Sequence, residues 1–305
     1  MNNLLRCASV LLVVALAGCR TKTGVQTANE LSDSLGRSSD GSARALVRIA
    51  SPASPVAWLG CEVVGTPCEP IGLIPAGASA HSWEPKPSQL RQLEGIDAWL
   101  RTGLSFENSW TTRLQGTFPK LPILDLRGGL DLESEHEEGH GHQHEPMDPH
   151  VWASPRAMKV LAETLAVRLS AQRPDLSSRI GVAMPRVRQR LDSLDGYARR
   201  MLAPWSGRTF LINHAGLGYL ARDYGLVQMS LEREGRELSP VDLFNLRKIA
   251  KAQGFRAVYI QTEASDRVAR SVASDLGVPA IELDLLTPPW DAAFRATVAS
   301  LAQGL

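Results

Sequence analysis

Five of the seven histidines fall in one stretch, Glu133 to Pro155, which reads ESEHEEGHGHQHEPMDPHVWASP. They are His136, His140, His142, His144 and His150; His81 and His214 lie far away in sequence. Imidazole is the commonest protein ligand for borderline metals such as zinc, so the chemistry this clustering points to is metal binding. The stretch has two halves. Residues 133–145 alternate histidine with glycine, glutamate and glutamine and have nothing apolar to bury. They predict a solvated loop whose four histidines take extra zinc weakly. The segment MDPHVWASP differs, because Pro149 and Pro155 restrict the backbone around His150 while Val151 and Trp152 can anchor it in a core. His150 is expected to be fixed and the other four tethered.

His136-Glu137-Glu138-Gly139-His140 spells H-E-x-x-H, the zinc-protease motif. That motif needs a helix, where positions i and i+4 share a face. Gly139 and Gly141 interrupt it and no apolar face would dock such a helix, so a catalytic zinc helix is not expected.

The elements that must position these residues alternate in kind. Strands are expected at 46–50, 70–74, 98–101, 122–126, 209–213, 226–231, 257–261 and 280–284. Helical patterns cover 88–95, 107–114, 154–170, 215–223, 240–253, 266–276 and 291–303. This alternation predicts an α/β fold with two lobes of parallel sheet flanked by helices. Between the lobes, 175–202 carries Leu, Val and Met at helical spacing among many arginines and reads as one long joining helix. Pro185 inside it is expected to kink or restart it.

Ligands of open α/β sheets bind beyond the carboxyl ends of strands. His81 follows the strand ending at 74, and His150 follows the strand ending at 126, across the His-rich loop. His214 comes directly after 209–213, and Asp284 ends the last strand. Two candidates precede the long helix and two follow it, which predicts a metal site in the inter-lobe cleft. An alternative use for Asp284 is to cap the turn before Pro288-Pro289.

The ends and the cysteines bound the setting. Residues 1–18 read as a secretory signal, with Arg6 as the basic residue and an apolar run at 10–16 too short to span a bilayer. Leu16-Ala17-Gly18-Cys19 resembles a bacterial lipobox, which puts a lipid on Cys19 and the protein outside the cytoplasm, periplasmic or at the cell surface, anchored to membrane. Residues 19–44, rich in Ser, Thr and Gly, read as the lipidated flexible tether. The lobes are then 45–172 and 205–305, with the linking helix within 173–204. Cys61 and Cys68 flank Gly65-Thr66-Pro67. In an oxidising compartment they favour a small-loop disulfide over two buried thiols or a thiolate metal site. The net charge of +1 gives no footprint for nucleic acid.

Four segments carry a family resemblance. His81-Ser82-Trp83-Glu84-Pro85-Lys86-Pro87-Ser88 and Asp148-Pro149-His150-Val151-Trp152-Ala153-Ser154-Pro155 resemble two signature segments of the zinc and manganese binding proteins of bacterial ABC importers. Asn213-His214 through Leu226 is similar to the third-ligand segment of that family, and Gly103 to Trp110 to another of its stretches. A His-rich loop just before the second ligand is typical of the zinc-specific, ZnuA-like branch. The resemblance spans roughly 45–305, and the D-P-H-V-W block is its most specific part. It implies the two-lobed fold, with His81, His150 and His214 as ligands and Asp284 as the fourth in some members. Departures are Lys86 for a small residue, Leu285 for a proline, and Pro185 in the long helix.

Three imidazoles with a carboxylate or water suit tetrahedral zinc, whereas manganese prefers more oxygen donors. Manganese-type relatives place a glutamate where this chain has His214. The resemblance therefore implies a monomeric zinc-binding lipoprotein that captures Zn²⁺ and delivers it to an ABC permease with its ATPase, with Mn²⁺ the second choice of metal. Asp148, Glu107, Asn213 and Glu263 are candidates for orienting the imidazoles. An enzyme, such as a secreted zinc hydrolase, would need an open metal position and a base such as Glu84 or Glu137, and no supporting motif accompanies them. A surface adhesin or a passive zinc buffer is a further class.

Overall fold

The first half of the chain lays down β1 (Val47–Ser51), α1 (Ser54–Val64), β2 (Cys68–Gly72), α2 (Pro87–Leu90), β3 (Ala98–Arg101), α3 (Glu107–Thr117), β4 (Ile123–Asp125) and α4 (Pro155–Gln172). Helix α5 (Ser177–Leu202) follows. The second half forms β5 (Thr209–Ile212), α6 (Gly218–Tyr224), β6 (Val227–Ser230), β7 (Glu232–Arg233), β8 (Arg236–Glu237), α7 (Pro240–Gln253), β9 (Val258–Gln261), α8 (Arg267–Leu276), β10 (Ala280–Leu283) and α9 (Trp290–Gly304). The computed structural model describes residues 46–75, 78, 83, 85–104, 106–130, 148–233, 236–262 and 264–305. Cys19, the tether, His81, Glu84, the loop histidines His136, His140, His142 and His144, and Glu263 lie outside the described residues.

The strands pair in parallel as two four-stranded sheets, β2-β1-β3-β4 and β10-β9-β5-β6. Read from β6, the second sheet repeats the order of the first, so in each the first-formed strand lies beside the third. The register sets Ile49 against Ala98 in one sheet and Leu211 against Val258 in the other. Chains leave that junction in opposite directions, which opens a crevice at the carboxyl ends of β1 and β3, and again at those of β5 and β9.

Expected strand ends shift where local bonds decide otherwise. β2 runs two residues earlier than 70–74, because the Leu73 amide is shared between the Ser51 and Pro52 carbonyls, at 3.3 and 3.2 Å, and the Ile74 amide turns to Pro52 at 3.1 Å. It is an edge strand, which accommodates Pro70. Helix α6 starts at Gly218 rather than 215, because the side-chain oxygens of Gln261 and Gln228 take the Gly216 and Leu217 amides. A Cβ on Gly216 would come within 2.5 Å of the Gln261 side chain, so that close approach requires glycine. Helix α1 and the β7–β8 hairpin were not anticipated from the sequence.

Helix α5 is unbroken through Pro185 rather than restarting there. Ile180, Ala183, Met184, Val187, Leu191 and Leu194 are buried on both sides of the proline, so tertiary packing holds the turn that lacks a hydrogen bond. This face packs on α4, α1 and α9, joining the two lobes. At the junction the rings of Trp58 and Trp290 lie 5.5 Å apart and Arg190 covers Trp58. The Arg190 guanidinium donates to Glu62 at 3.0 Å and to Asp291 at 2.6 Å, one carboxylate from each lobe. Cys61 in α1 and Cys68 at the start of β2 are joined by a disulfide.

Candidate metal centre

His150 enters the site on a short turn. Pro149 precedes it, and Val151–Ala153 forms a single 3-10 turn buried by Val151 and Trp152. The Asp148 carboxylate accepts both the His150 amide, at 2.8 Å, and its Nδ1, at 2.7 Å. A carboxylate acts here as acceptor, so Nδ1 carries the proton and Nε2 presents its lone pair. The second lobe holds the same segment from outside: the Tyr219 hydroxyl donates to the Asp148 carbonyl at 3.2 Å. The Trp152 ring stands edge-on to His150 at 5.3 Å. Ser154 then caps α4, its Oγ accepting from the amides of Arg156 and Ala157 while donating to Asp223 of α6.

His214 sits one residue past β5. Asn213 before it ties the ends of β5 and β9 together: its Oδ1 accepts the amides of His214 and Gln261, and its Nδ2 donates to the carbonyls of Gln261 and Ser265. Asn213 therefore places His214 through the backbone rather than through the ring. The His214 Nδ1 bonds the carboxylate of Glu232, at the start of the β7–β8 hairpin.

The two imidazoles meet. Their rings are 4.9 Å apart and inclined at 75°, and the two Nε2 atoms lie 3.0 Å from each other. Both rings are buried. Two nitrogens bound at 2.0–2.1 Å to one tetrahedral zinc stand about 3.3 Å apart, so the observed spacing needs only a few tenths of an ångström of adjustment to admit the ion. Asp148 and Glu232 supply negative charge behind the two rings, which favours a dication between them.

Trp83 stands edge-on to Phe106 at 5.2 Å, beside the start of α3. Glu107 is buried and accepts the amides of Thr102 and Gly103 at 3.0 and 2.7 Å, latching the end of β3. Burial raises its carboxyl above the usual range. Asp284 lies at the end of β10, where its carboxylate accepts the amides of Leu286 and Thr287 and the Thr287 hydroxyl. It thus holds the turn that precedes Pro288-Pro289. Among the described residues no group of three or more His, Cys, Asp or Glu is placed to hold a metal ion, since Asp148 and Glu232 meet the pair at Nδ1, away from the two Nε2 atoms. Glu232 and Tyr219 escaped sequence reasoning, because both reach the site through tertiary contacts.

Residues 50–303 match the family model described as zinc-uptake complex component A, periplasmic. The zinc-binding lipoprotein AdcA of Streptococcus pneumoniae (strain ATCC BAA-255 / R6) is 30% identical over 240 residues, covering 74% of this chain and 47% of AdcA. The high-affinity zinc uptake system protein ZnuA of Bacillus subtilis (strain 168) is 28% identical over 225 residues, 70% of either chain. A crystal structure of a ZnuA deletion mutant with zinc bound superposes with a TM-score of 0.77 at 27% identity, covering 85% of this chain and 98% of that one. The chain spans about half the length of AdcA. With its two like-ordered parallel sheets and the match over nearly the whole described body, the chain belongs to the family of periplasmic A components of zinc-uptake complexes.

Proposed function

We propose that this protein captures Zn²⁺ outside the cytoplasm and delivers it to an ABC permease with its ATPase, carrying out no chemistry on a substrate. The observation that carries this reading is the convergence of the His150 and His214 Nε2 atoms at 3.0 Å, with both Nδ1 atoms engaged by carboxylates. Nitrogen-rich donors favour zinc over manganese. The names of AdcA and ZnuA among the relatives support the same metal.

His81 supplies the third imidazole in this reading. Asp284 or a water supplies the fourth donor; Asp284 can bind the ion only through the lone pairs its turn leaves over. The histidines at 136, 140, 142 and 144 take further zinc weakly. Cys19 carries the lipid that holds a monomer at the membrane through the 19–44 tether.

Metal analysis of the purified protein tests the proposal. A chain lacking 133–145, isolated from medium holding equal zinc and manganese, is expected to carry one zinc per molecule. Manganese in its place, or no bound metal after exposure to excess zinc, overturns it.

A further inference from the structure

We propose that Glu232 is a positioning residue of the metal centre, fixing which nitrogen of His214 faces the ion. The inference rests on the zinc reading above and adds a residue that the sequence did not single out.

The two histidines are oriented by different means. Asp148 is two residues from His150 and belongs to the same turn, so that pairing is local. Glu232 is 18 residues from His214 and arrives by tertiary structure. The chain is locked into place just before it. Leu231 is buried and donates its amide to the Ile212 carbonyl at 2.8 Å, continuing the β5–β6 pairing by one residue. Ser230 Oγ donates to the main-chain carbonyl of Glu232. The carboxylate that results is 15% exposed and the His214 side chain 7%, so neither can exchange this partner for bulk water without cost.

Nδ1 and Nε2 point to opposite sides of an imidazole ring. A carboxylate bonded at Nδ1 cannot also reach an ion held at Nε2, so Glu232 is not a ligand in this arrangement. As an acceptor it holds the proton on Nδ1 and leaves the Nε2 lone pair toward His150. Without it, the neutral ring can carry its proton on either nitrogen, and the form with the proton on Nε2 cannot bind metal there.

The test separates this role from a purely structural one. Metal-stripped protein with ¹⁵N-labelled histidine is studied by long-range ¹H–¹⁵N correlation at about pH 8.5, where an ordinary imidazole is neutral. The wild type is expected to show His214 protonated at Nδ1, with a proton shared between its Nε2 and that of His150, which lie 3.0 Å apart. Glu232→Ala is expected to shift that ring to a mixture of tautomers while leaving His150 unchanged, and to weaken zinc binding roughly 10–100-fold. Glu232→Gln, which still accepts through its amide oxygen, is expected to keep the wild-type tautomer and an intermediate affinity. It also serves as the readout if the alanine variant does not fold. A wild-type His214 tautomer and undiminished zinc affinity in Glu232→Ala overturn the inference, as does a Glu232→Gln variant that loses the tautomer. Failure of the wild type to bind zinc would instead overturn the zinc reading, and the tautomer comparison would still decide the role of Glu232.

Discussion

Trp290, the first residue of α9 in the second lobe, donates its indole N–H to the main-chain carbonyl of Trp152 in the first lobe at 3.0 Å. Trp152 follows His150 by two residues, so the turn that carries His150 in one lobe is braced by the other. Trp290 is fully buried and also packs on Trp58 and Phe294. Trp290→Phe keeps much of that packing and leaves the Trp152 carbonyl unpaired, which is expected to cost about 1–3 kcal/mol. Trp290→Ala adds a cavity and is expected to cost about 3–5 kcal/mol. Denaturant unfolding checks both; a phenylalanine variant as stable as wild type would show that the bond contributes nothing.

The Cys61–Cys68 disulfide closes a short loop at the amino end of β2, the opposite end of the sheet from the histidines. Loop-closure entropy for a separation of 7 residues predicts a stabilisation of about 2.5 kcal/mol. Cys61→Ala/Cys68→Ala is therefore expected to unfold at lower denaturant while binding zinc as tightly as the parent. A parallel loss of zinc affinity would show that the first sheet transmits strain along its length.

Glu107 gives a pH signature. Burial raises its carboxyl in the native state, despite the two amides and Arg101 that favour its charge. The native protein thus holds this proton more tightly than the unfolded chain. That contribution to stability is fully present below the ordinary glutamate range and is lost as pH rises through the raised value. Glu107→Gln is expected to flatten this segment of the stability-versus-pH curve, at a cost of about 1–3 kcal/mol at neutral pH for one unmatched amide. Unfolding free energies measured across mildly acidic pH give the slope; an unchanged slope in the variant would assign it to another group.

Much of this architecture is legible in the residues. Strands such as 98–101 and 257–261 are apolar runs bounded by turn residues, and α7 matches its expected span because Ser239 caps it and Gly254 ends it. Helix α1 was hidden because Pro55, Val56, Ala57, Trp58, Leu59 and Gly60 are all buried in succession. A helix apolar on every side has no 3.6-residue period to read. A side chain on Gly60 would strike Ile49 and Leu100, so even its one apparent breaker is a packing requirement. The β7–β8 hairpin is too short to show a period. His150 was legible as fixed because Pro149 and Pro155 restrict the backbone around it and Val151 and Trp152 adjoin it. Glu232 was not legible as the partner of His214, because only the parallel pairing of β5 with β6 brings it there.

The central claim is that His150 and His214 bind one zinc ion between the lobes. It is tested most directly by calorimetric titration of metal-stripped protein lacking residues 133–145, with and without His214→Ala. The parent is expected to bind one zinc tightly. His214→Ala is expected to lose more than the roughly 100-fold that removal of an outer partner can cost, since it deletes a donor outright. Zinc affinity unchanged in His214→Ala would contradict the account.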